Sequence, residues 1–205
     1  MEAQGLLLGT IVRLQIQTAA LKTGVKPDQR YSPDALLAVE TLTLTPEGAE
    51  ARGPEGERVL DIHHARHPAT RQMDGENALS FGFTSHYAAI QARFGPGLAL
   101  GGAGENILIA AEREIPLAEV AAGLWIRSAP RPARLEQILP AAPCVPFTRY
   151  LLRGPADGDT LKPALQFLNA GRRGFYARLA SAEVLTVSVG DQVFTAAQPG
   201  GRTLL

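Results

Sequence analysis

Cysteine occurs once in the 205 residues, at position 144. A lone thiol excludes a framework of internal disulfides, so the chain must rest on its own core, and a reducing, cytoplasmic compartment is expected. Net charge is lacking too: lysine plus arginine and aspartate plus glutamate each number 20, a formal net charge of +0. Without an excess of one sign there is no field to gather nucleic acid or an anionic membrane surface. Long apolar runs are absent, since even GLLLGTIV stops at Arg13, well short of the roughly 20 residues that span a bilayer. No basic stretch followed by an apolar run and a small-residue cleavage site opens the chain, so no secretory leader is expected. Nor is there a P-loop, a GxGxxG opening a helix, or a GxSxG elbow. Nucleotide binding and serine hydrolysis are left without support.

What is present is a succession of short strands separated by glycine and proline. The length suits a single domain over residues 1–205. In GTIVRLQIQ, residues 9–17, Thr10, Val12, Leu14 and Ile16 alternate with Ile11, Arg13, Gln15 and Gln17, the period-2 pattern of a strand. A polar loop to Pro33 follows, then a strand from Val39 to Thr45, with Pro-Glu-Gly turns at 46–48 and 54–56. Further strands are predicted at 76–81, 106–110, 123–129 and 133–139, and two or three more between Phe175 and Ala196. Two short helices interrupt them. The first covers 84–94, capped by Thr84 or Ser85, with Tyr87, Ile90 and Phe94 on one face; the second covers 161–169 and stops at Gly171. This balance predicts a mainly β, closed or nearly closed structure rather than a doubly wound α/β sheet.

Four segments carry candidate chemistry. APCVPFTRYL, residues 142–151, sets Cys144 between Pro143 and Pro146. Prolines remove backbone donors from a strand or helix, so the flanks predict a rigid loop that holds the thiol in one place. LDIHHARHPATR, residues 60–71, groups Asp61, His63, His64, Arg66, His67 and Arg71. If the strand runs on to Ile62, His63 and His64 point to opposite faces, and a tetrahedral zinc site would need ligands the sequence does not supply. GGAGENILI, residues 101–109, is a glycine-rich turn ending in Glu105 and Asn106; side chains of this kind hydrogen-bond backbone in tight turns. GRRGFYARL, residues 171–179, offers Arg172 and Arg173, either a solvated basic turn or a bidentate site for phosphate or carboxylate.

Taken in order, GENI at 104–107, Pro143-Cys144, RRGFYAR at 172–178 and Val189-Gly190-Asp191 resemble the MOSC family, named for the C-terminal domain of molybdenum cofactor sulfurases. The resemblance runs from about Gly9 to Thr195. It implies a MOSC-type closed β-barrel with a few short peripheral helices. It also implies that Cys144 is the functional cysteine, carrying sulfur as a persulfide or ligating the molybdenum of a pyranopterin cofactor. By the same carry-over Glu105 and Asn106 would shape the pocket, Asp61 and His63 would lie at its rim, and Arg172 or Arg173 would face the anionic cofactor. In PAAPC, Ala141 and Ala142 stand where family members often carry a cation. The pyridoxal-phosphate domain of the eukaryotic sulfurases is not in this chain, so a carrier would need a sulfur donor such as a cysteine desulfurase. Two alternatives stand beside the carrier: a molybdenum-dependent reductase of N-hydroxylated compounds, fed by a separate redox partner because the chain has no cysteine cluster for an iron–sulfur centre, and a barrel without chemistry.

Overall fold

A computed structural model describes residues 5–70 and 77–196. In chain order the elements are β1 (Leu7–Gln17), β2 (Lys22–Thr23), β3 (Arg30–Tyr31), β4 (Leu36–Val39), β5 (Thr41–Thr45), β6 (Gly48–Arg52), β7 (Arg58–Leu60), β8 (Leu79–Phe83), α1 (Thr84–Phe94) and β9 (Ile107–Ala110). They continue with α2 (Leu117–Val120), β10 (Leu124–Arg127), β11 (Ala133–Pro140), α3 (Val145–Leu151), α4 (Gly158–Leu168), β12 (Phe175–Leu179), β13 (Leu185–Ser188) and β14 (Gln192–Thr195).

Seven strands close on themselves in the order β14-β10-β11-β12-β8-β9-β1, with β14 pairing back to β1 and β4 attached to the far half of β1. Closure satisfies the edges that an open sheet would leave bare. The period-2 pattern of residues 9–17 becomes the long strand β1, which bends at two bulges so that one strand can serve β14, β9 and β4 in turn. A second antiparallel sheet, β13-β5-β6-β7, packs on the barrel, and Leu42, Leu44, Leu185 and Val187 join Phe81, Ile107 and Phe175 in one core. Phe81 and Phe175 stack at 5.2 Å and Phe83 meets Phe81 edge-on at 5.8 Å, geometries that add to the apolar burial.

A smaller apolar cluster lies on the other side of the β8–β9 wall, where Leu108 alternates with the core-facing Ile107 and Ile109. It gathers Tyr87 and Ile90 of α1, Phe147 and Leu151 of α3, Leu168 of α4, and Tyr31 and Leu21 from the β2–β3 hairpin. Phe94 completes the apolar face expected of α1, partly buried against this cluster.

Five expectations are corrected. Residues 39–45 form two strands, because the chain leaves the barrel after Val39 and enters the second sheet at Thr41. There are four helices rather than two among the described residues. The segment after Cys144 is not a loop: α3 starts at Val145 with Pro146 in its first turn. In that turn backbone N–H groups have no intrahelical acceptor, so a missing donor costs nothing. Neither Thr84 nor Ser85 caps α1, which follows β8 directly; the Thr84 hydroxyl instead accepts from Ala111 N–H at 3.0 Å. The second helix starts three residues early, at Gly158, where the Asp157 carboxylate accepts from Thr160 N–H at 3.0 Å. It leaves through Ala170 and Gly171, both in the left-handed region with φ of 58° and 92°. Glu76 of the strand predicted at 76–81, and Arg71 of the histidine segment, lie outside the described residues.

Candidate functional site

Pairing register brings the segments together. Phe175 sits opposite Phe81 and Pro140 opposite Phe175, and one step beyond that row Ala141 N–H donates to Gly174 C=O at 2.9 Å. The PAAPC segment therefore runs off the end of β11 alongside the start of β12, placing Cys144 and Arg173 in the same neighbourhood although 29 residues separate them in sequence. Gly174 is required there: its φ is +112° and an added Cβ would lie 2.9 Å from Phe81 O.

Cys144 occupies the extended position before α3, partly buried, with its carbonyl accepting from Thr148 N–H and Thr148 Oγ–H at 3.0 Å each. Its side chain packs against the smaller cluster. Phe147, three residues on, is fully buried and carries the Arg173 guanidinium over its ring, 5.0 Å from the centroid. The Arg173 Nε is buried with no hydrogen-bond partner. Burial works against the charge of Arg173, but Tyr176, Cys144 and Tyr31 outweigh it and hold the guanidinium above its usual value. The cation missing from PAAPC is thus supplied from the turn before β12.

Tyr31 reaches the same neighbourhood from the β2–β3 hairpin. Its ring meets Phe147 at 5.0 Å and Tyr150 at 5.4 Å, and its hydroxyl donates to Gly102 C=O at 2.8 Å. Burial raises its pKa well beyond the ordinary tyrosine value, Arg173 opposing and Glu105, Cys144 and Tyr150 adding to the rise. The Tyr87 hydroxyl accepts from Ala103 N–H at 3.0 Å, so two tyrosines anchor the glycine-rich turn. Within that turn Gly102 N–H and Gly104 N–H donate to Ala99 and Gly101 carbonyls at 2.9 Å. Those donors are spent on the turn itself.

Glu105 and Asn106, adjacent in sequence, face different surroundings. Asn106 is a pin: its Oδ1 accepts from Ser80 N–H and Ser80 Oγ–H at 3.0 Å each, and its Nδ2 donates to Asp61 Oδ2 at 2.8 Å. Asp61 is fully buried rather than at a rim, and it also accepts from Gln17 N–H at 2.8 Å and from His63 N–H and Nδ1 at 2.9 Å. Only His63, one-third exposed, is accessible in that group. The three histidines disperse. His64 is buried, its Nε2 3.1 Å from Glu50 Oε1, and the His67 Nδ1 accepts from Ala69 N–H. Glu105 lies over Gly82, where an added Cβ would come within 3.1 Å of Oε1, and neither of its oxygens has a hydrogen-bond partner.

The two arginines also part. Arg172 spans Glu114 Oε2 at 3.1 Å, Phe167 C=O at 2.6 Å and the Phe167 ring at 4.3 Å, which ties α4 to the loop before α2. Arg173 is the one coupled to Cys144. Arg149, near Cys144 in sequence, donates to Pro27 C=O at 3.2 Å instead. Two clefts, of about 390 and 320 Å³, are lined by residues of β4–β6 and of the β5–β7 region, and neither contains Cys144. Sequence reasoning missed Tyr31, which sits in a polar loop without periodicity, and saw Tyr87 only as a core residue of α1.

The sequence pattern of the MOSC domain matches residues 59–194. The chain belongs to the MOSC domain family. Solved structures agree on the MOSC fold: the YuaD protein of Bacillus subtilis superposes with a TM-score of 0.56 at 13% identity, covering 90% of this chain and 93% of that one. YiiM from Geobacillus stearothermophilus gives 0.52 at 15% identity, covering 94% of this chain and 77% of that one. No curated protein matches the sequence. Among the described residues no helix is long and apolar enough to cross a membrane.

Proposed function

We propose that this MOSC protein works through Cys144, which takes up sulfur as a persulfide or holds the molybdenum of a pyranopterin cofactor, and passes its cargo to a partner. The observation that carries the reading is the buried Arg173 guanidinium, which lies over Phe147 of the helix that Cys144 precedes, feels the charge of that thiol, and has an Nε with no partner within the protein. Buried donors left unsatisfied are rare and mark places where a ligand completes the bonding. An anionic occupant suits that donor, and a thiolate is a soft ligand of the kind molybdenum accepts. The donor set therefore fits the cofactor: Cys144 would hold the metal and Arg173 an anionic group, the cofactor itself supplying two-electron redox chemistry when bound.

As a sulfur carrier, the Cys144 thiolate attacks the outer sulfur of a donor persulfide. The donor S–S bond breaks, the donor leaves as a thiolate, and Cys144 retains the transferred sulfur with its proton. A cysteine desulfurase is the class of donor. A thiol so placed stays free in a reducing compartment such as the cytoplasm.

The test is the metal and pterin content of protein purified anaerobically from a host that makes molybdenum cofactor, beside the Cys144→Ala variant. Near-stoichiometric molybdenum in the parent and none in the variant supports the ligand role, and turnover of a hydroxylamine with an added reductase then decides whether the chain is an enzyme. A mass increase of one sulfur on Cys144 after exposure to a desulfurase supports the carrier role. Neither molybdenum nor sulfur on Cys144 refutes the proposal.

A further inference from the structure

Two buried carboxyls flank the turn that leads into β9, and their surroundings treat them oppositely. Asp61 is 0% exposed and receives hydrogen bonds from Gln17 N–H, Asn106 Nδ2 and two groups of His63. Burial opposes its charge, yet these donors outweigh it and hold the carboxyl below the usual range. Glu105 is 5% exposed and has no hydrogen-bond partner on either oxygen. Burial pushes its carboxyl up; the Tyr87 hydroxyl and its own N–H, both short of hydrogen-bond geometry, and the charges of Arg173 and Arg13 pull the other way without cancelling it. Asp61 is a structural anion. Glu105 contributes nothing comparable to the fold, because a buried acid without partners costs stability.

The elements packed around Glu105 give its carboxyl no hydrogen bond. Gly82 of β8 has no side chain to fill the space. On β1, Arg13 has its Nε committed to Gln15 Oε1 at 2.7 Å. On β3, the Tyr31 hydroxyl proton is committed to Gly102 C=O. On α1, the Tyr87 hydroxyl accepts from Ala103 N–H, and its uncommitted proton acts on Glu105 without reaching hydrogen-bond geometry. The remaining neighbour is Arg173, whose unpartnered Nε belongs to the Cys144 pocket. Tyr31 feels the charges of Glu105, Arg173 and Cys144 together, and its hydroxyl on Gly102 and its ring against Phe147 link the turn that holds Glu105 to the helix that Cys144 precedes.

We propose that Glu105 is the acid of the Cys144 pocket: its carboxyl carries a proton in the free protein and donates it, as a hydrogen bond, to an oxygen or nitrogen of the ligand seated against Cys144. The carboxylate that remains once the proton is given up is balanced by the charges of Arg173 and Arg13. The inference rests on the reading of Cys144 as the ligand-holding residue.

Because Cys144 is the only thiol, alkylation by iodoacetamide reports on this pocket alone. The wild-type pH–rate profile is expected to show two titration steps, one from the thiol and one from Glu105. Glu105→Gln, close in shape and uncharged, is expected to show one step, and a rate several-fold above wild type between the two. Superimposable profiles overturn the proposal. Infrared spectroscopy of the unmodified protein supplies a readout that needs no variant: a protonated carboxyl stretch at neutral pH, shifted in heavy water and absent from Glu105→Gln. Its absence from the wild type, or its persistence in the variant, likewise overturns the proposal. Failure of Cys144 to take up sulfur or molybdenum would sink the functional reading on its own, while the infrared band and the two-step profile still decide the state of Glu105.

Discussion

Asn106→Ala tests whether the GEN segment holds the fold through the asparagine. The substitution removes the acceptor for Ser80 N–H and Oγ–H and the donor to the Asp61 carboxylate. Two neutral hydrogen bonds at about 1 kcal/mol each and one to a charged group at roughly 1.5–3 kcal/mol give an expected loss of about 3–5 kcal/mol. That is a large share of the roughly 5–15 kcal/mol that keeps a domain folded. Urea unfolding reads it directly, as a fall in midpoint at constant slope. Asn106→Asp sharpens the test: it keeps the shape and replaces the donor with a carboxylate pressed against Asp61. At neutral pH it is expected to be at least as damaging as the alanine, and to recover as the pH falls and one of the pair takes a proton. A loss below about 1 kcal/mol in the alanine variant, or an aspartate variant equal to wild type at neutral pH, would refute the pin.

Three further outcomes are expected. The folded-state pKa of Asp61 lies below the ordinary 3.8, so its contribution is complete above that value and is lost as the pH falls through the folded one; Asp61→Asn should flatten the acid limb of the stability curve in urea titrations. Arg173→Met should lower retention of a molybdenum cofactor or uptake of sulfur at Cys144 by tenfold or more. Arg172→Met should leave both within twofold while lowering the melting temperature, since its contacts are Glu114 and Phe167. Gly174→Ala forces a side chain to φ of +112° with its Cβ 2.9 Å from Phe81 O, and calorimetry should register a loss of roughly 2–4 kcal/mol; an unchanged melting temperature would mean that the β8–β12 approach is looser than described.

Much of the barrel was legible because strand alternation and helical spacing are local. β1 shows its period-2 pattern in residues 9–17, and α1 occupies the predicted residues 84–94. The errors fell where local signals mislead. Pro146 reads as a helix breaker until its position in the first turn of α3 is known, and residues 39–45 read as one strand because β-branched composition does not say which sheet a strand joins. At the site, the motifs located Cys144, Glu105, Asn106 and the arginine pair, but residue type did not divide their work. Tandem arginines look alike in sequence, while the turn before β12 sends Arg172 to Glu114 and Arg173 over the ring of Phe147, in the helix that Cys144 precedes.

By itself the sequence determined that the protein has one thiol, no net charge, no membrane-length apolar helix and a strand-rich barrel with the order of motifs of the MOSC family. These are properties of composition and of neighbours along the chain. Tertiary structure alone decided that Ala141 meets Gly174, which brings Cys144 to Arg173, that Tyr31 reaches them from a distant hairpin, and that of two buried carboxyls Asp61 is fully bonded and Glu105 is not. The reason is physical: ionisation and hydrogen bonding depend on burial and on partners, and both are fixed by strand register between residues far apart in sequence.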